Sequence, residues 1–104
     1  MKNTNESDPQ IIAQRLNWLL DYLELSQVEF ARTINASPTT LSNWLSGRSR
    51  LSLDGALSIR KTYGVSLDFL YLGRADTLPQ QIAKAWASSP RVNHSSKSSE
   101  KPDA

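Results

Sequence analysis

The sequence feature that most constrains this chain is the stretch from Gln27 to Ser46, QVEFARTINASPTTLSNWLS. Ser26, with a glutamate three residues later, has the pattern of a capping box at the start of a helix. Asn35 fits the end of that helix, because asparagine tolerates the left-handed backbone conformation. Ser37 followed by Pro38 predicts the start of a second helix, since proline loses no hydrogen bond at the first helical position. The stretch therefore predicts two short helices joined by a tight turn.

The second of these helices has an apolar side and a side of small polar residues. Its inner side is Leu41, Trp44 and Leu45, and its outer side is Thr39, Thr40, Ser42, Asn43 and Ser46. Solvated helix faces usually carry Glu and Lys, which have higher helix propensity than Ser, Thr and Asn. Uncharged hydroxyl and amide groups are suited to reading base edges in a DNA major groove. From this face alone, DNA recognition and an ordinary solvated surface both remain open.

The positive charge of the chain is concentrated around and after this helix. The net charge is +2, but residues 30–62 contain five basic residues and a single acidic one, Asp54. Residues 16–29 contain three acidic residues and no basic one. A local excess of cations next to a polar helix face is typical of nucleic-acid binding, although a chance fluctuation in a mixed surface also produces it.

The spacing of apolar residues in the stretch resembles the helix-turn-helix domain of the phage repressor/Cro-like, or XRE, family. The matching positions are Phe30, Ala31, Ile34, Ala36, Leu41 and Trp44. The segments LSQVEFA, NAS, Gly47-Arg48 and YGVSLDFLYLG extend the resemblance over about residues 11–73. Asn35 stands where that family usually has glycine. The resemblance implies an all-α, compact five-helix, lambda-repressor-like domain that binds double-stranded DNA.

The resemblance also implies which residues meet DNA, with helix 3, about residues 38–46, in the major groove. Base contacts fall on Pro38, Thr39, Thr40 and Asn43. Pro38 departs from the polar residue often found there and offers an apolar contact alone. Phosphate contacts fall on Gln27, Ser37, Ser46, Arg48 and Arg50, with Arg15 as a weaker candidate. The alternatives are a surface residue at the start of helix 2 for Gln27 and a solvated loop for Arg48 and Arg50.

The rest of the chain supplies further helices and two polar ends. Helix 1 is predicted over about residues 10–24. Helix 4 follows a cap at Ser52 and runs to Tyr63, and Ser66 caps helix 5, at about 67–72. The apolar face predicted for helix 4 is Leu53, Ala56, Leu57, Ile59 and Tyr63. Residues 1–9 are expected to be a flexible arm, 10–74 the helix-turn-helix domain, 75–87 an extra helix or dimerisation segment, and 88–104 a disordered tail.

Two departures from the family pattern concern apolar residues. Leu20 stands where the family often has arginine, and Leu45 where it often has a polar or acidic residue. In helix 4, Arg60 stands where a small residue is usual, so its stem passes the core or the register shifts by one.

A single small domain reads about half of a DNA site, so a homodimer on a palindromic operator is expected. The candidate dimer interface is Phe69, Tyr71, Ile82 and Trp86. The stripe of Leu78, Ile82 and Trp86 is narrow, and packs either on its own domain or on a second subunit. The competing hypothesis is an antitoxin or adaptor-type protein-interaction module, whose exposed aromatic residues and tail grip a protein partner.

Enzymatic and membrane functions find little support. The chain has no cysteine, and its one histidine, His94, lies in the predicted tail. We found no carboxylate pair, glycine-rich phosphate loop or metal-ligand cluster, so neither catalysis nor a cofactor is expected. No apolar run approaches the ~18 residues of a membrane span, and the N-terminus is unlike a signal peptide. A cytoplasmic protein is therefore expected, and the family resemblance implies a bacterial or phage origin and association with the nucleoid when the protein is bound to DNA.

Overall fold

The computed structural model describes residues 5–89, and this range is helical without any strand. The helices are α1 (Pro9–Leu23), α2 (Gln27–Thr33), α3 (Pro38–Leu45), α4 (Leu53–Tyr63), α5 (Leu67–Leu72) and α6 (Gln80–Ala87), with a single 3₁₀ turn at Ala75–Thr77. The all-α class predicted from the sequence is confirmed. Residues 1–4 and 90–104, including His94 and most of the predicted tail, lie outside the described residues.

Local side-chain chemistry sets the starts of the first five α-helices. Asp8, Ser26, Ser37, Ser52 and Ser66 each accept a hydrogen bond from a backbone N–H in the first turn. The four serines are the N-caps that the sequence predicts, and the capping box at Ser26 is complete. Each cap satisfies a backbone donor that would otherwise have no partner within the helix. The helix boundaries are therefore encoded next to the helices themselves.

The core lies between α1, α3 and α5, and α6 closes one side of it. Trp86 meets Trp18 and Phe69 edge to face, with ring centroids 5.1 and 4.9 Å apart. Phe69 is fully buried, Trp86 is 4% exposed and Ile82 is 8% exposed. The prediction that these three residues form a dimer interface is therefore wrong, because α6 packs its apolar stripe on its own domain.

Tyr71, the fourth predicted interface residue, is half-buried rather than fully exposed. Its hydroxyl donates to the Leu51 carbonyl at 2.7 Å. Burial raises the pKa of the Tyr71 phenol, and the nearby positive charge of Arg50 opposes that rise. Tyr71 thus ties α5 to the loop that follows α3.

The face that α4 buries differs from the predicted one. Gly55, Ala56 and Ile59 point into the core, whereas Leu53 and Leu57 are 58% and 44% exposed. A Cβ on Gly55 would collide with the Trp44 ring, so this ring packs directly on the α4 backbone. The contact fixes the rotation of α4 about its axis. It also leaves Arg60 exposed, with no need for its stem to cross the core.

Arg15 is not a surface residue, and this corrects the prediction that it contacts phosphate. Its side chain is 1% exposed and lies inside the domain. It donates to the Glu6 carboxylate at 2.6 Å, to the Glu6 carbonyl at 2.8 Å and to the Leu70 carbonyl at 3.0 Å. Burial lowers the pKa of the Arg15 guanidinium, and the Glu6 carboxylate opposes this. A guanidinium so enclosed has no path to a DNA phosphate.

The contacts of Arg15 and Arg50 also revise the predicted arm. Glu6 holds Arg15, and the Ser7 carbonyl accepts a hydrogen bond from Arg50 at 2.8 Å. Asp8 caps α1, with Pro9 as its first residue. Residues 5–8 therefore lie against the domain, because a buried cation and a helix cap both require them.

Candidate nucleic-acid interface

The outer side of α3 is an exposed surface of uncharged groups. Asn43 is half-buried, and the residues exposed around it are Pro38, Thr39, Thr40, Ser42 and Ser46. The inner side, made of Leu41, Trp44 and Leu45, is buried as predicted. Ser37 caps α3, and Pro38 is its first residue. Consequently the four predicted base-contact residues lie along one short, accessible helix.

The first turn of α3 orients two hydroxyl groups. The Ser37 oxygen accepts from the Thr40 backbone N–H at 3.0 Å, and the Ser37 hydroxyl donates to the Thr40 hydroxyl oxygen at 2.8 Å. Since the Thr40 oxygen already accepts this bond, its own hydrogen is available to an outside acceptor. Ser37 can donate to a phosphate only if it turns away from Thr40.

Asn43 is linked to the loop after α3. Its side-chain oxygen accepts from Arg48 Nη1 at 2.8 Å, and its backbone carbonyl accepts from the backbone N–H groups of Arg48 and Ser49 at 3.0 and 3.2 Å. These bonds hold the amide in one orientation, in which Arg48 contacts the side-chain oxygen and not the NH₂ group. An amide oxygen has a second lone pair, so Asn43 retains both a donor and an acceptor for a base edge.

The loop of residues 47–51 is held from several sides. Arg50 bonds the Ser7 carbonyl, Tyr71 bonds the Leu51 carbonyl, and Arg48 bonds Asn43. Gly47 has a left-handed φ of +79°, and a Cβ there would lie 2.6 Å from the Gln10 side chain. The loop therefore presents Arg48 and Arg50 from a fixed backbone, which reduces the entropy lost when they bind.

The remaining predicted phosphate contacts are less constrained. Gln27 is exposed at the first position of α2. Ser46 is exposed, and its hydroxyl donates to the Asn43 carbonyl at 3.2 Å. Two residues that support the loop, Ser7 and Gln10, are not among the site residues predicted from the sequence. Asp8-Pro9 has the same cap-and-proline pattern as Ser37-Pro38, and this pattern indicates that α1 begins at Pro9. A helix that begins there places Ser7 and Gln10 next to the loop.

Two other kinds of site find no support within residues 5–89. No helix there is both long and apolar enough to cross a membrane. No group of three or more His, Cys, Asp or Glu side chains in that range is placed to hold a metal ion.

The six helices, the turn between α2 and α3 and the polar face of α3 define a helix-turn-helix domain of the phage repressor, or XRE, type. The family described as helix-turn-helix matches residues 19–70, half of the sequence. The chain belongs to this helix-turn-helix family, which confirms the resemblance inferred from the residues.

One curated relative comes from a bacteriophage. The chain is similar to "Repressor protein CI" of Enterobacteria phage phi80, with 37% identity over 62 residues. The aligned part is 60% of this chain and 26% of the relative, so the chain spans about a quarter of that protein's length. No solved structure matches the chain significantly.

Proposed function

We propose that this protein is a sequence-specific double-stranded DNA-binding transcriptional regulator, a repressor, that reads the major groove with α3. The observation that carries the proposal is the exposed, uncharged α3 face with Arg48 bonded to its edge. Short polar side chains let a helix approach the groove floor, while cations at its border meet the phosphates. The family match supports DNA binding, and the similarity to a phage repressor protein supports repression.

In the proposed complex each of the four α3 residues makes a different kind of contact with a base. The free hydroxyl hydrogen of Thr40 donates to a base acceptor, and Asn43 uses both ends of its amide, as asparagine does on adenine. Thr39 offers a hydroxyl and a methyl group, and Pro38 offers an apolar contact to a thymine methyl. Gln27, Arg48 and Arg50 bind phosphates and fix the register of α3 in the groove.

The alternative of an antitoxin or adaptor rested on exposed aromatic residues and on the tail. Phe69 and Trp86 are buried in the core, so these aromatic residues offer no surface to a partner.

Selection of binding sites from random duplex DNA tests the proposal. The selected sequence is then titrated against scrambled DNA at two salt concentrations. We expect a palindromic motif bound about 10³-fold or more tightly than scrambled DNA. Absence of enrichment, with an affinity that depends on salt alone, would contradict sequence-specific regulation.

Asn43→Ala is expected to weaken binding to the selected sequence by about 1–3 kcal/mol and to relax preference at one base position. Gln81→Ala, which removes an exposed amide on α6, is the control and should change neither quantity. Arg48→Ala removes a proposed phosphate contact together with the bond that orients the Asn43 amide, so it should weaken binding to all sequences and also relax preference at that base position. Unchanged base preference in Asn43→Ala would show that α3 is placed in the wrong register.

Arg50→Ala is expected to weaken all DNA sequences by a similar factor and to reduce the slope of log affinity against log salt by about one unit. The reason is that a phosphate contact releases a counterion whatever the base sequence. Lys84→Ala on α6 removes a cation away from the proposed interface and should leave the slope unchanged. A loss confined to the selected sequence would instead make Arg50 a base contact.

A further inference from the structure

The solvent-exposed side of α4 carries two leucines that are not part of the hydrophobic core. Leu53 and Leu57 lie one turn apart and are 58% and 44% exposed. Asp54 and Lys61 flank them on one side, and Arg60 lies on the other. We call this surface, made of Leu53, Asp54, Leu57, Arg60 and Lys61, the α4 face.

The two leucines cannot enter the core by a rotation of α4. The Trp44 ring occupies the space where a Cβ of Gly55 would be, so α4 is locked with Gly55, Ala56 and Ile59 inward. Trp44 is itself 5% exposed and part of the main core. The exposure of Leu53 and Leu57 is therefore a fixed property of the folded domain.

The charges of the α4 face are complementary to themselves. Asp54 lies in the first turn of α4, and Arg60 and Lys61 lie in its last turn. None of the three forms an ion pair with another described residue. A helix with an anion at one end and cations at the other is complementary to an antiparallel copy of itself.

We propose that the α4 face pairs with the same face of a second copy of this chain, antiparallel about a twofold axis at Leu57. The 3.6-residue helical period then places Leu57 against its own copy and Asp54 opposite Lys61 of the second copy. The aliphatic stem of Arg60 covers Leu53 of the second copy. The pairing buries all four leucines and matches both acidic groups with cations.

The contact buries a small area, and this determines the conditions under which the dimer forms. Stable protein interfaces bury roughly 1,600 Å² in total, far more than two leucines from each copy supply. The pair is therefore weak in dilute solution, and it forms when two copies occupy neighbouring half-sites and their local concentration rises. This step rests on the proposed DNA-binding function, whereas the pairing of the α4 faces does not.

Sedimentation without DNA tests the pairing directly. We expect the full chain to form a reversible dimer at concentrations up to about 1 mM. Leu57→Asp should weaken the dimer about tenfold or more, because it buries two like charges in place of an apolar contact. Leu72→Asp, at a leucine of similar exposure on α5, is the control and should leave the dimer intact. A strict monomer up to about 1 mM, or equal effects of the two substitutions, overturns the proposal.

A charge exchange keeps the test valid if Leu57→Asp fails to fold. Asp54→Lys and Lys61→Asp should each weaken the dimer, and the double variant should restore it, because the same pair forms with its signs reversed. Failure of the double variant to recover would contradict the antiparallel arrangement.

Binding to DNA separates this inference from the proposed function. On DNA with two half-sites we expect cooperative binding that Leu57→Asp abolishes, with unchanged affinity for a single half-site. Loss of single-site affinity in that variant would overturn the inference. A chain that dimerises through the α4 face and binds no DNA would refute the proposed function and leave the pairing established.

Discussion

Trp86→Ala is expected to lower the free energy of unfolding by about 3–5 kcal/mol. Trp86 is 4% exposed, and its ring meets Trp18 and Phe69 in edge-to-face contacts. Removing it leaves a cavity at the centre of the contact between α6, α1 and α5. Domains of this size are stable by about 5–15 kcal/mol, so the variant should be close to its unfolding transition. Urea unfolding followed by circular dichroism measures the change.

The same experiment decides whether α6 belongs to the domain. Gln81→Ala changes an exposed side chain of the same helix and serves as the matched control. A loss below about 1 kcal/mol in Trp86→Ala would mean that α6 is not packed on the core in solution. The buried stripe of α6 would then be free to meet a second subunit after all.

Glu6→Ala is expected to lower the free energy of unfolding by about 3 kcal/mol, the lower end of the range for breaking a buried ion pair. The variant leaves the Arg15 guanidinium, which is 1% exposed, without its counter-charge. The effect stays near the lower end because the Glu6 side chain is 31% exposed and the Leu70 carbonyl still accepts from Arg15. Chemical unfolding of the variant and the parent protein gives the difference.

The chain offers its own control for this prediction. Arg74 and Asp76 form an ion pair at 3.2 Å on the surface, with side chains 57% and 67% exposed. Asp76→Ala should leave stability unchanged within error, because exposed pairs are screened by water. Combining Glu6→Ala with Arg15→Met should recover most of the loss, since an apolar side chain of similar length then replaces the charge. Equal losses in the Glu6 and Asp76 variants would contradict the buried pair.

The features predictable from the sequence are those decided by neighbours along the chain. Ser26, Ser37, Ser52 and Ser66 cap helices because the donors they satisfy lie three residues away. Asn35 adopts a left-handed φ of 59° at the turn for a similarly local reason. Such local rules, together with apolar spacing, suffice for the order of the helices and the identity of the helix-turn-helix.

The features that were not predictable from the sequence depend on contacts between residues far apart in the chain. The rotation of α4 follows from Trp44 on Gly55, and an amphipathic pattern that includes Leu53 and Leu57 does not contain that information. Arg15 is predicted as a phosphate contact from the family resemblance, whereas its burial depends on Glu6, which lies outside the predicted domain. Phe69 is covered by α6. The narrow apolar stripe of α6 does not indicate whether it packs on its own domain or on a second subunit.

The candidate site divides in the same way. The polar face of α3 is predictable because the serine cap and the apolar spacing fix its register. The orientation of individual groups is not, since Asn43 is held by Arg48 and Arg50 is held by Ser7. These bonds decide which donors and acceptors remain available, and they join a helix to segments before and after it.

The three acceptors of Arg15 come from opposite ends of the domain, and this bears on how the chain folds as it is synthesised. Glu6 is synthesised more than sixty residues before Leu70, whose carbonyl is the third acceptor. Before α5 is made, a closed core around α1 would enclose a cation with an incomplete set of acceptors. We therefore expect the nascent N-terminal half to remain unfolded until α5 has been synthesised. Residues 6–70 then fold together in one cooperative step.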